Sequence, residues 1–341
     1  MPTITKPNLY FDVVTYTGTG ATQTITGLNF QPDFVWIKSR SAATDNKLTD
    51  AVRGVTKGLI SNSTAAETTD TNGVTAFTSS GFTLGSDSVY NNSGATYVAW
   101  CWKANGSGST NTSVSITSTV SANTTSGFSV VTFTGTGSAA TIGHGLGVAP
   151  RMFIVKQRTA SSATSWYVYH ASLSDAPASA IYLNLTNAQD GPNAVFWNNT
   201  APTSSVFSIG TSAGVSASAG TYVAYCFAEV AGYSKFGSYT GNGSSDGVFV
   251  YTGFRPAYVL IKRTTSAYDW WILDATRATY NAVKGRLYAN ASDAESTTYP
   301  YLDFLSNGFK LRDADGGLNA SGEPYIYACF AQNPFKYSLA R

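Results

Sequence analysis

One succession of landmarks runs through this chain three times, so the unit that has to fold is the repeat rather than the whole length. The copies open as Phe11 to Gly20 (FDVVTYTGTG), Phe128 to Gly137 (FSVVTFTGTG) and, more loosely, Ser234 to Gly243 (SKFGSYTGNG). A proline, an apolar run and a lysine follow in each: Pro32 to Lys38, Pro150 to Lys156 and Pro256 to Lys262. Each copy closes on a tyrosine four residues before a cysteine, Tyr97/Cys101, Tyr222/Cys226 and Tyr325/Cys329, which accounts for all three cysteines of the chain.

The spacing is regular. From the first glycine to the proline is 14, 15 and 15 positions, the lysine follows the proline by six each time, and proline to cysteine is 69, 76 and 73, which puts insertions in the middle of the unit. Copies one and three agree further at Asp50/Asp274, Arg53/Arg277, Leu59/Leu287, Asn62/Asn290 and Glu67/Glu295, whereas copy two departs, with His170 at the aspartate position. A unit of about 100 residues can bury a core of its own. The reading is therefore three tandem domains, 1–106, 127–232 and 233–341, with the Ser/Thr-rich stretch 107–126 as an extended or flexible linker. Near Gly232 there is almost no spacer, so the second and third domains are expected to touch.

Composition indicates all-β structure. Only 12% of residues are charged, Thr, Ser, Gly, Val, Tyr and Phe abound, and β-branched and aromatic side chains fit a pleated surface. Short apolar stretches bounded by Gly, Asn, Asp and Ser recur as they do in a sandwich. Phe34 to Ile37, Met152 to Val155 and Tyr258 to Ile261 are apolar on both strand faces, which requires cover on both sides. On the closing strand, period-two alternation puts Tyr97, Ala99 and Cys101 on one face and Val98, Trp100 and Trp102 on the other. Three tandem jelly-roll-like β-sandwich repeats are the expected fold.

Equivalent cysteines in separate domains lie too far apart for a disulfide, so all three are expected to be buried, reduced and unpaired. With no CxxC and only His144 and His170, no metal site or cofactor is expected. No stretch approaches the roughly 18 apolar residues of a membrane span, and the start, Met1 to Pro7, lacks the apolar core of a signal peptide. Synthesis in a cytoplasm follows as the expectation. A net charge of +2 without a Lys/Arg cluster leaves out the footprint of a nucleic-acid binder.

Candidate chemistry is sparse. Asp50/Arg53 and Asp274/Arg277 read as local ion pairs or turn elements more readily than as a site. Glu67 and Glu295 could act as general acids of a glycosidase, but copy two has no matching glutamate and no second carboxylate can be assigned. TGTG and TGNG lack the GxxxxGK[ST] pattern of a phosphate loop and read as turns. Asp313 to Gly316 resembles the start of a calcium loop without its later ligands, and a tight turn is the expectation. Trp166 and Trp270, followed by Tyr167 and Trp271 and aligned with Asn46 of copy one, could stack on a sugar ring; packing in a core is the favoured reading. No catalytic, metal or ligand-binding residue is assigned.

The phrases Phe11 to Arg40, DAVRGVTKGL (Asp50 to Leu59), FTSSGFTLGS (Phe77 to Ser86) and TYVAWCWKANG (Thr96 to Gly106) resemble a repeat found in virion proteins of tailed, often marine, bacteriophages. The ending Tyr325 to Lys336, with its NPF tail, is similar to the closing strand of many such proteins. The resemblance covers nearly the whole chain and implies a non-enzymatic structural protein on the virion surface, made in the host cytoplasm: a tail-fibre or host-adhesion component. A capsid or collar decoration protein is the alternative, and a glycan-cleaving tailspike is disfavoured by the missing carboxylates. The implied partners are other virion proteins, a host surface glycan or receptor, and further copies of the chain, with a homotrimer expected.

Overall fold

The structure, a computed structural model, describes residues 3–112, 114–159 and 164–334; Met1, Pro2 and the Phe335-Lys336 end of the NPF tail lie outside them. The chain is all-β and is arranged in several antiparallel sheets. Three large sheets, of six, seven and five strands, follow one another along the sequence, and each is faced by a small sheet of three, two or three strands among the described residues.

The landmarks of the sequence fall on the same three strands of every large sheet. Opening strands Phe11–Thr17, Phe128–Thr134 and Ser234–Thr240 pair antiparallel with closing strands Thr96–Trp102, Thr221–Phe227 and Pro324–Pro334. The other edge of each closing strand takes the lysine strand, Phe34–Ser39, Met152–Gln157 or Phe254–Arg263. Lys38 is opposite Val98, Lys156 opposite Val223 and Lys262 opposite Ile326, each one residue past the tyrosine.

Alternation along the closing strands divides the interior in two. Tyr97, Ala99 and Cys101 face a core shared with the small sheet of the same third of the chain; Tyr222, Ala224, Cys226 and Tyr325, Tyr327, Cys329 do likewise. The opposite faces, Val98, Trp100, Trp102, then Val223, Tyr225, Phe227, then Ile326, Ala328, Phe330, all enter one continuous core between the three large sheets. Rings interlock there across the whole chain: Phe11 stacks on Phe330 at 4.9 Å and Phe34 on Tyr225 at 4.3 Å between centroids. Ala328 stands where the other two strands carry Trp100 and Tyr225, and a wholly apolar gap of about 20 Å³ remains beside it. Such a gap offers a water no polar partner and stays dry.

The conserved spacing of tyrosine and glycine has a local cause. The hydroxyls of Tyr97, Tyr222 and Tyr325 donate to the carbonyls of Ser88, Ala213 and Gly316 and accept from the amides of Asn92, Ala217 and Ala320, pinning the turn that precedes each closing strand. Gly18, Gly135 and Gly241 run against that turn so closely that a Cβ would lie 2.2, 2.5 and 2.3 Å from a carbonyl oxygen. Only glycine fits such an approach.

Two expectations are corrected. The stretch 107–126, read as a linker, contains strands Ser109–Asn111 and Ser118–Asn123, which extend the second large sheet beyond its opening strand. Its few apolar side chains suffice: Ile116 and Val120 are buried in the second core, and backbone pairing does the rest. Each third of the chain buries a core with its small sheet but not in isolation, because the other face of its large sheet joins the central core, which holds five of the seven tryptophans.

All three cysteines are buried and unpaired, and burial pushes their thiols well above the ordinary range. A thiol reagent added to native protein should therefore label none of them and, after denaturation, all three. Fast labelling of any cysteine in the native state would contradict the core assignment.

Candidate functional site

The side chains that could carry chemistry gather along three seams where one large sheet meets the next. Each seam is made by the same positions, and the third sheet closes back on the first.

At the seam between the first and second sheets, Arg53 is fully buried and holds both Asp50 and Glu67, the latter at 2.9 Å. Across the seam, the Tyr225 hydroxyl donates to Asp50 Oδ2 at 2.8 Å, and Arg158 grips Glu67 with Nε at 2.9 Å and Nη2 at 3.0 Å. The Glu67 amide donates to the Arg158 carbonyl at 2.9 Å. Burial pushes the Glu67 carboxyl up, but the hydrogen bonds and charges of Arg158 and Arg53 outweigh it and hold the group below its usual range. The seam between the third and first sheets repeats the set. Arg277 pairs with Asp274 and Glu295, both at 2.6 Å; the Trp100 indole donates to Asp274 at 3.0 Å; Arg40 reaches Glu295 at 2.7 Å, and the Glu295 amide donates to the Arg40 carbonyl at 2.8 Å.

The seam between the second and third sheets is built differently because Ala328 presents no polar group where Trp100 and Tyr225 do. His170 takes the place of the aspartate and its Nε2–H donates to the Tyr327 carbonyl at 3.1 Å, a tautomer fixed by Nδ1 accepting from the Ser172 amide. Leu173, three residues on, is buried where the other copies carry arginine. Gln189 stands at the glutamate position, its amide donating to the Thr264 carbonyl at 2.7 Å. The sequence showed no counterpart of Glu67 in copy two; backbone pairing across the seam identifies it. With threonine and glutamine in place of arginine and glutamate, this seam carries a groove of about 600 Å³ lined by hydroxyl-bearing and apolar side chains alike.

The lysines and tryptophans are seam residues as well. Lys38 donates to Thr44 and, across the seam, to Ser292; Lys156 to Thr164 and across to Thr64; Lys262 to Arg263 and across to Thr186. Burial lowers Lys38 and Lys156 to about 8 and Lys262 to about 7. Trp166 and Trp270 are buried, so they form no platform for sugars; their indoles donate across seams to the Ile60 and Tyr182 carbonyls at 2.9 and 2.8 Å. Asn46, aligned with them, donates to Ala291 at 2.9 Å. Trp271 is buried in the third core, and Tyr167 packs against the second. Asp313 and Asp315 accept from the amides of Asp315 and Gly317, which makes 313–317 a turn.

Removing the guanidinium (Arg277→Met) leaves Asp274 buried without its counter-ion, held by the Trp100 indole and the amides of residues 276 and 277 alone, and should cost about 3–5 kcal/mol, read by denaturant unfolding. A loss under about 1 kcal/mol would show that the pair does not brace the seam. His170 is held down to about 4 by burial, against an unfolded value near 6.5. The unfolded chain then binds the extra proton between these values, so stability is lost as pH falls from about 6.5 toward 4, by about 3 kcal/mol in all. His170→Gln, whose amide can keep the donor, should flatten that part of the stability curve; an unchanged slope would contradict the assignment.

Among the described residues, no helix is long and apolar enough to cross a membrane. In comparison with known proteins, no curated sequence matches the chain. Residues 6–334 match the family described as a domain of unknown function, DUF7483, and the chain belongs to that family.

Proposed function

We propose that the chain consists of three β-sandwich modules closed head to tail into a ring, and that it serves as a non-enzymatic surface protein of a bacteriophage particle, a tail-fibre or host-adhesion component made in the host cytoplasm. The phage setting comes from the sequence resemblance. The observation that carries the non-enzymatic reading is the use made of the reactive side chains. Both arginine and carboxylate sets, His170 and the three lysines are bonded across the seams, and Glu67 and Glu295, the candidate general acids, each lie between two arginines. A carboxylate so held is a poor proton donor, which disfavours the tailspike reading.

Outward positions suit adhesion. Phe249 and Tyr251 occupy exposed positions on the third small sheet that the first fills with Thr24 and Thr26, and Tyr280 and Tyr299 are also exposed. Amphipathic rings at a surface favour contact with another molecule. The decoration reading has its own support: a common core braced at three seams resists deformation, as a mechanical part must. In either role the proposed partners are other virion proteins and further copies of the chain as a homotrimer. Repetition of weak contacts would raise retention through effective concentration.

Recombinant full-length protein should adsorb to susceptible host cells or their surface glycans and release no oligosaccharide. Released sugar would require an enzyme. Particles that lack the protein but still adsorb, and instead fall apart, would favour decoration. Sedimentation as a monomer at micromolar concentration would remove the trimer.

A further inference from the structure

The groove between the second and third sheets lies where one ion pair is missing from a set of three. Glu67 with Arg158 and Glu295 with Arg40 fill equivalent positions at the other seams, each pair tied by the same amide-to-carbonyl hydrogen bond. At the third seam that backbone bond persists between Gln189 and Thr264, but the side chains withdraw. Gln189 turns back, donating to Ser174 at 2.8 Å and Ser179 at 3.0 Å, and Thr264 donates to the Pro324 carbonyl. The groove at this seam, about 600 Å³, falls within the roughly 300–1,000 Å³ of small-molecule sites, and it lies where two sheets of different thirds of the chain meet.

We propose that this groove binds a neutral saccharide; the assignment rests on the adhesion reading and names the site and ligand class for it. Its walls present the hydroxyls of Ser172, Ser238 and Thr240, groups that both donate and accept, as sugar hydroxyls do; those of Ser174 and Thr265 also lie there but are already bonded to Gln189 and to Glu323. Pro324 and Ala188 supply apolar surface for the C–H face of a ring. No residue lining the groove is charged, and Arg263 and Glu323 beside it neutralise each other at 2.9 Å, so the groove offers no unpaired cation to a phosphate, sulfate or sialic acid. The lysine beneath it, Lys262, is turned inward onto the Thr186 and Arg263 carbonyls.

The molecule supplies its own control. Thr264→Arg with Gln189→Glu installs the pair that the other two seams already accommodate, and Ser238→Trp fills the groove from an exposed strand position without replacing any side chain bonded across the seam. Full-length protein is tested by saturation-transfer NMR against gluco-, manno-, galacto- and rhamno-oligosaccharides, with sialylated and sulfated oligosaccharides and an extended polar peptide as comparators. Binding of a neutral member at millimolar concentration, weakened at least tenfold by both the double variant and Ser238→Trp, is the expected result. No neutral member bound, binding confined to charged members or the peptide, or binding indifferent to both variants would overturn the groove. Adsorption to host cells is scored separately. Saccharide binding without adsorption would overturn adhesion and leave the groove standing, whereas adsorption unaffected by either variant would remove the groove from adhesion and leave adhesion standing.

Discussion

Everything in this molecule depends on the three large sheets presenting an apolar face to one another as well as to their small sheets. A sheet buried on both sides needs strands that are apolar at successive positions, and the lysine strands, with Phe34 to Ile37 and its counterparts, supply them. The aromatic residues of the central core then fix the sheets relative to one another, since closely packed interiors tolerate little sliding. Seams follow as a geometric necessity: wherever two sheets converge on that core, backbone edges and polar side chains are carried inside and must find partners there.

The seams meet this demand in two chemically distinct ways. Where the neighbouring sheet offers a donor, the indole of Trp100 or the hydroxyl of Tyr225, a buried aspartate accepts it and an arginine balances the charge while reaching a glutamate. Where the neighbour offers Ala328, a charge would be stranded, and a neutral histidine bonded to a carbonyl replaces the whole set. His170, Leu173 and Gln189 are thus one substitution in physical terms, although they are spread over twenty positions of sequence. Buried lysines are tolerated at all three seams because each ammonium is offered backbone carbonyls from both sides.

Much of the fold could be read from the sequence because it depends on local rules. The period of two along Thr96 to Trp102 assigns its faces correctly, and the tyrosine and glycine spacing marks a turn that recurs in each large sheet. What could not be read depends on contacts far apart in the chain. Asp274 and Arg277 were visible as a pair, but Trp100, which binds that aspartate, is 174 positions away. The double-sided apolarity of the lysine strands did signal cover on both faces; nothing local reveals that the second cover is another large sheet. The stretch 107–126 was misread because pairing of its backbone, rather than its polar side chains, makes it a strand. The groove was invisible for a related reason: it is marked by the absence of an arginine at Thr264, recognisable only once Thr264 is known to stand where Arg40 and Arg158 do.

The mismatch at Ala328 gives the closed arrangement a handed memory of its own order. An element carrying His170 can precede only one whose closing strand offers a bare carbonyl, while an element carrying Asp50 or Asp274 must precede one with Tyr225 or Trp100. Exchanging two of the three would set a buried carboxylate opposite a methyl group. The three thirds, alike in outline, are therefore keyed to distinct addresses, and the chain distinguishes its own parts much as a set of non-identical subunits distinguishes its neighbours.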